Sequence, residues 1–287
     1  MTTELKLMAL VDGSEYSVSV CDHARWLLER AGGSLEIIHV LGRRQVSSEP
    51  KNFSGSIGLG ARSALLEELV ELDAMKANLA QKRGRAILED AKQRMLDQGV
   101  TAISTRLRHG EIVETVEDLG KDVDMIVIGK RGEAANFERL HLGSNLERVA
   151  RSVRHPILVA ARKFKPINRF LIAFDGGASA LKAVQNLAGQ GLLKDLECEI
   201  LMAGSDSSEA NRQLQQAAAS LTEAGYSVST RLVPGQADKV ICEAVESGNH
   251  DLLVMGAFGH SRIRNLIIGS TTTEMLRACK IPVLLYR

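Results

Sequence analysis

The chain carries one pattern twice, and a duplicated pattern constrains a fold more tightly than any single motif. Residues 252–255 form an unbroken apolar run that stops at Gly256. Gly259, Gly269, Ser270 and a run of threonines follow before helical periodicity resumes at Glu274. Such a run predicts a strand buried on both faces of a parallel sheet. Residues 124–145 repeat the order: an apolar run, Gly129, Gly132 and a Gly143-Ser144 pair. Each copy predicts a strand, a loop and a helix N-terminus, where unpaired N–H groups and the positive end of the helix dipole hold an anion. Glycine lets backbone approach a phosphate closely, and the Ser and Thr hydroxyls add donors.

The flanking sequence is duplicated as well. Residues 5–11 predict a first strand stopped by Asp12-Gly13-Ser14, residues 16–30 a helix, and residues 35–41 a second strand. Residues 100–107, 123–128 and 157–161 predict the third, fourth and fifth strands, the last opened by Pro156, which suits a strand's first residue or an edge. The second half answers with strands over residues 169–174, 199–203, 226–233, 252–256 and 281–286, and with an Asp175-Gly176-Gly177 turn after the first. Strand, tight turn, helix and strand in this order predict parallel pairing through right-handed crossovers.

The spacing confirms a single duplication. Gly143 to Pro156 and Gly269 to Pro282 are both 13 positions, whereas Asp12 to Gly129 is 117 and Asp175 to Gly256 is 81. The first half therefore carries 36 extra residues, placed at about residues 42–75. The region opens on a Ser- and Gly-rich stretch and becomes strongly helical over residues 61–97, about 55 Å if continuous. Leu65, Leu69, Leu72 and Leu79 trace an apolar stripe along it. Two readings fit: a long crossover helix broken near Gly84, or a helix whose first half projects as a lid or partner-binding element.

Charge and composition remove several function classes. Lys and Arg number 36 against 35 Asp and Glu, so there is no electrostatic footprint for nucleic acid or an anionic membrane. Aromatic content of 3% also argues against base-stacking platforms. No run has the length of a membrane span, and the N-terminus lacks the basic and long apolar regions of a signal peptide, which points to the cytoplasm. Cys21, Cys198, Cys242 and Cys279 form no CxxC pair and read as small buried hydrophobes, and no metal site is expected.

The spacing Gly256-x2-Gly259-x9-Gly269-Ser270, with the Asp-Gly-Ser turn at residues 12–14, resembles the ATP-binding branch of the universal stress protein family. The resemblance covers two tandem copies, residues 1–163 and 166–287. It implies two open five-stranded parallel α/β domains, Rossmann-like and of the adenine nucleotide alpha hydrolase-like type, joined as an internal pseudo-dimer through their apolar fifth strands. It also implies an adenine nucleotide, ATP or AMP with Mg²⁺, held as a ligand-dependent switch. Carried over by position, the second half offers Asp175, Ala203, Gly256, Gly259, Gly269, Ser270 and Thr271, and the first offers Asp12, Val40, Gly129, Gly132, Gly143 and Ser144; His260, in the second loop, reads either as a solvent-facing residue or as a further nucleotide contact at a phosphate.

The first copy departs from this pattern, with ten residues between Gly132 and Gly143 and Glu133 where the second copy has His260. A carboxylate beside a triphosphate is repulsive, while Lys130 and Arg131 offset it. Simpler roles stand beside the functional ones: the aspartates as helix caps, the glycines as loop formers, His39 as a core histidine. No Walker-type P-loop, nucleophile elbow or paired acid and base marks an enzyme. The alternatives are an interaction or small-ligand module that works through the insertion, and a slow ATPase. A homodimer and an unidentified protein partner are the expected associations beyond the nucleotide.

Overall fold

The computed structural model describes residues 4–42, 59–132, 144–257 and 269–287. The first half runs β1 (Leu5–Leu10), α1 (Glu15–Ala31), β2 (Gly33–Leu41), α2 (Leu59–Asp97), β3 (Ile103–His109), α3 (Ile112–Leu119), β4 (Met125–Gly129), α4 (Ser144–Ser152) and β5 (Ile157–Ala160). The second runs β6 (Arg169–Ala173), α5 (Ala178–Gln190), β7 (Glu197–Ala203), α6 (Ser208–Glu223), β8 (Ser227–Val233), α7 (Ala237–Ser247), β9 (Leu252–Gly256), α8 (Ser270–Ala278) and β10 (Val283–Tyr286). All ten strands join one sheet in the order β3-β2-β1-β4-β5-β10-β9-β6-β7-β8.

Within each half the strands pair in parallel, and the halves meet where β5 and β10 run antiparallel, Leu284 opposite Leu158 and Val283 opposite Val159. All four residues of each of these strands are buried. Two apolar terminal strands that would otherwise leave open edges thus cover one another. This seam is the internal pseudo-dimer that the resemblance implies. One core cluster, with Trp26, Met95, Phe170 and Leu221, lies under α1, α2, α5 and α6. The other, with Met8, Val149, Leu253 and Met275, lies under α3, α4, α7 and α8. Both clusters draw on both halves, so hydrophobic burial as well as strand pairing joins them.

Local chemistry explains the elements. Ser14 caps α1 by accepting from the Tyr16 N–H, Glu15 and Arg30 complement the helix dipole, and Gly32 ends the helix at φ +68°. Helix α2 runs through Gly84 without the expected break. A Cβ there would lie 2.7 Å from Leu107 Cδ1 and 2.9 Å from His39 Cδ2, so the glycine lets the helix lie close on β2 and β3. His39 is the core histidine expected, its Nδ1 lying 2.8 Å from the Val11 carbonyl oxygen. Cys21, Cys198 and Cys279 are buried free thiols and Cys242 is half-buried. Burial pushes Cys21 and Cys198 up to about 12 and Cys279 to about 11, so these three behave as apolar fillers.

The duplication extends to the ion pairs. Glu36 on β2 pairs with Arg106 on β3 at 2.7 Å, and at the same register positions Glu199 on β7 pairs with Arg231 on β8 at 2.8 Å. Glu199 also has Arg169 Nη2 at 3.2 Å and His250 Nε2 at 3.1 Å, whereas Lys6 and Val123 hold the corresponding places in the first half.

Candidate functional site

Strand register assembles each of the two candidate sites within its own half. Leu10 on β1 lies opposite Ile38 on β2 and Ile128 on β4, so two residues further on Asp12, Val40 and Lys130 share one level at the carboxyl edge of the sheet. In the second half Ala173 lies opposite Leu201 and Met255, which puts Asp175, Ala203 and Ala257 at one level. Gly129 and Gly256 close β4 and β9 one residue earlier. The chain leaves β1 toward β2 on one side and β4 on the other, and leaves β6 toward β7 and β9 in the same way. Such reversals of strand order open the crevice in which doubly wound sheets bind ligands.

The aspartates brace turns and do not cap helices. Asp12 Oδ1 accepts from the Ser14 N–H at 3.0 Å and the Ser17 hydroxyl at 3.2 Å, while Ser17 Oγ accepts from the N–H groups of Asp12 and Gly13, each at 3.0 Å. In the second half Asp175 Oδ1 accepts from the Gly177 N–H at 2.8 Å. Ala180 stands at the position of Ser17, so the hydroxyl that braces Asp12 has no counterpart there. Gly13 and Gly176 adopt φ +80° and +73°, conformations that favour glycine in so tight a turn.

The strand-end glycines have a packing duty of their own. A Cβ on Gly129 would meet Tyr16 Cβ at 2.7 Å, and one on Gly256 would meet Ser179 Cβ at 2.8 Å and the Ala180 nitrogen at 3.0 Å. The first turns of α1 and α5 therefore sit directly against the ends of β4 and β9. A Cβ on Gly132 would lie 2.9 Å from Asp12 Oδ2, so the chain leaving β4 passes over the first-half carboxylate. Gly143, Gly259 and His260 lie outside the described residues.

Helix α8 opens beside Asp175's crevice. Its cap residue Gly269 supplies no side-chain acceptor, and the Gly269 N–H donates to the Ala257 carbonyl at 3.2 Å. Ser270 is exposed and Thr271 half-buried, both in the first turn. Thr272, which sequence reading passed over, is buried and donates its hydroxyl to the Gly256 carbonyl at 3.1 Å, pinning the helix start to the end of β9. In the first half α4 starts at Ser144, and Asn145 and the buried Leu146 replace Thr271 and Thr272. The second half is thus the richer in hydroxyl donors.

Lys130 departs from its expected place beside a phosphate loop. It is buried, and its ammonium donates to the carbonyl of Cys279, the residue that ends α8 in the other half. The corresponding second-half position is Ala257; a comparison of the two halves exposes this difference in sequence, but not the bond across the seam. Burial lowers the Lys130 ammonium from 10.5 to about 8, with the Arg131 charge adding to the fall. An unfolded chain keeps that proton to higher pH, so stability rises as pH climbs from about 8 to 10.5, and below 8 the penalty stands in full. Lys130→Met is expected to raise stability at pH 7 by about 2 kcal/mol after losing one hydrogen bond, and this advantage to vanish by pH 10.5. Paired urea titrations at the two pH values check it; a less stable variant at pH 7 overturns the account.

Among the described residues no cluster of His, Cys, Asp or Glu is placed to hold a metal ion, and no helix is long and apolar enough to cross a membrane. The profile of the Universal stress protein family matches residues 5–161 and 199–287. Universal stress protein Slr1230 of a Synechocystis strain is 39% identical over 284 residues, covering 98% of this chain and 99% of its own. Universal stress protein YxiE of Bacillus subtilis is 28% identical over 156 residues, 54% of this chain and 97% of the relative. The crystal structure of a universal stress protein from Archaeoglobus fulgidus has the same fold, with a TM-score of 0.70 at 18% identity over 98% of both chains. Two family matches along one chain, and a relative similar from end to end, make this a tandem member of the universal stress protein family.

Proposed function

We propose that the chain binds an adenine nucleotide, ATP or AMP with accompanying Mg²⁺, and acts as a ligand-dependent switch in the cytoplasm. The observation that carries this reading is the register of Asp175, Ala203 and Ala257 at the reversal of strand order, beside a helix whose cap leaves its first N–H groups to an external acceptor. In this assignment Asp175 takes the ribose hydroxyls, the backbone at Ala203 the adenine, and the N-terminal turn of α8 with Ser270 and Thr271 the phosphates. The donor set fits a polyanion: backbone N–H groups and hydroxyls stand at the helix start, and the carboxylate lies on the opposite, sugar-binding side of the assignment. The second half is the principal site. The first half is a weaker one, because Leu146 replaces Thr272 and Lys130 is engaged with Cys279.

Switching fits these residues better than turnover. Ala203, Gly256 and Ala257 carry no side chain that can orient a water for attack on a phosphate. The test is calorimetric titration of nucleotide-free protein with ATP and AMP, with and without Mg²⁺. Loss of a charge-assisted hydrogen bond is worth about 1.5–3 kcal/mol, so Asp175→Ala is expected to weaken binding about ten- to hundredfold. Asp12→Ala is expected to change the dominant affinity less than about threefold. No heat at millimolar nucleotide overturns the proposal; equal loss from both variants overturns the assignment of the principal site.

A further inference from the structure

Helix α2 is anchored along only part of its length. Gly84, Leu88, Ala91 and Met95 are buried and recur at helical spacing. Gln81 lies level with His109, the last residue of β3, at 3.5 Å. Residues N-terminal to Gln81 therefore extend past the carboxyl edge of the first-half sheet. There Leu72, Met75 and Leu79 are 49%, 67% and 68% exposed. They fall at i, i+3 and i+7, on one face of the helix and nearly half a turn from the anchored face. Among the described residues, none of 67–80 belongs to either core cluster, and burial in those clusters does not explain the exposed stripe.

The charges beside the stripe are sorted along it. Residues 67–73 contain Glu67, Glu68, Glu71 and Asp73 and no basic residue, whereas residues 74–85 contain Lys76, Lys82, Arg83 and Arg85 and no acidic one. A segment of this kind repels a parallel copy of itself and attracts an antiparallel one. With the two-fold axis beside Met75, Leu72 of one copy lies opposite Leu79 of the other, and Glu68 lies opposite Arg83. The same register thus satisfies the apolar and the charged residues. The β5 and β10 edges are already paired within the chain, so they are closed to a second copy.

We propose that a second copy of this chain packs on the projecting half of α2, forming an antiparallel, two-fold helix pair through Leu72, Met75 and Leu79. The contact is short, so the dimer is concentration-dependent and responds to salt through its flanking charges. It lies beyond the carboxyl edge of the first-half sheet, the edge that carries Asp12, and it does not depend on the nucleotide reading.

Sedimentation equilibrium of the full chain at low salt, from about 1 to 200 μM, reads the result. A twofold mass at high concentration is expected, and Leu72→Glu combined with Leu79→Glu is expected to weaken association at least tenfold with an unchanged far-UV spectrum. Reversal of Glu67, Glu68 and Glu71 to Lys weakens self-association, as does reversal of Lys82 and Arg83 to Glu, whereas mixing the two variants restores a dimer. Met75→Cys is expected to cross-link to itself, and Leu79→Cys only to Leu72→Cys. A monomer throughout the range, a dimer indifferent to these substitutions, or self-cross-linking at Leu79→Cys as efficient as at Met75→Cys overturns the proposal.

Discussion

Gly33→Ala is expected to destabilise the protein by about 4 kcal/mol or more, enough to unfold a domain of ordinary stability. Gly33 opens β2 at φ +118°, and a Cβ there would stand 1.9 Å from the Leu5 carbonyl oxygen and 2.6 Å from the Leu5 nitrogen. Both atoms belong to β1, the strand paired with β2 on one side and β4 on the other, so relief requires opening a ladder inside the sheet. Its neighbour Gly32 makes the control: φ is +68° and nothing lies within 4 Å of its added Cβ. Gly32→Ala is expected to cost about 1 kcal/mol, from backbone conformation alone. Urea unfolding followed by circular dichroism separates the two, and coincident midpoints would falsify the steric account. In the second half the same register position is Leu196, which does not have the positive φ of Gly33, so the repeat reaches the same topology without the strain.

Glu199→Ala is expected to cost about 3 kcal/mol, toward the lower end of the range for a broken buried ion pair. The Glu199 side chain is 10% exposed, while those of Arg169 and Arg231 are 36% and 43% exposed and keep part of their hydration. Burial also holds His250 below its ordinary value, so its imidazole brings no compensating positive charge. Removal of the carboxylate leaves two guanidinium groups facing each other across β7. Glu36→Ala removes the equivalent carboxylate from a single, more open pair and is expected to cost about 1 kcal/mol. Equal losses from the two substitutions would show that repeat position, and not burial, sets the contribution.

Periodicity made the repeat unit legible because the inner strands β4, β5, β9 and β10 are buried on both faces and so read as apolar runs, whereas the edge strands β3 and β8 are not. Strand β9 has the predicted bounds, and the remaining predicted strands shift by only a few residues. Gly84 misled because glycine usually interrupts a helix, whereas here it answers to His39 and Leu107, which are distant in sequence. Of the candidate site, Asp12, Val40 and Gly129, and Asp175, Ala203 and Gly256, were carried over by position from the family resemblance, and strand register puts each trio at one edge of the sheet. Ser17 and Thr272 were not, because their hydroxyls act on main-chain or carboxylate atoms one helical turn or one loop away, and no motif marks such bonds. Lys130 illustrates the deeper limit. Its partner is a main-chain carbonyl 149 residues away, and no motif in either half marks such a bond.

The antiparallel meeting of β5 and β10 has an evolutionary consequence. In an assembly of two identical subunits, any substitution strikes both ligand crevices at once, so neither crevice changes without the other. Here the seam is built within one chain, and the crevices, on opposite edges of the sheet, answer to separate codons. Ser17 against Ala180, Lys130 against Ala257 and Leu146 against Thr272 are the record of that independence. Fusion lets the two crevices diverge one position at a time, and at these three positions they have.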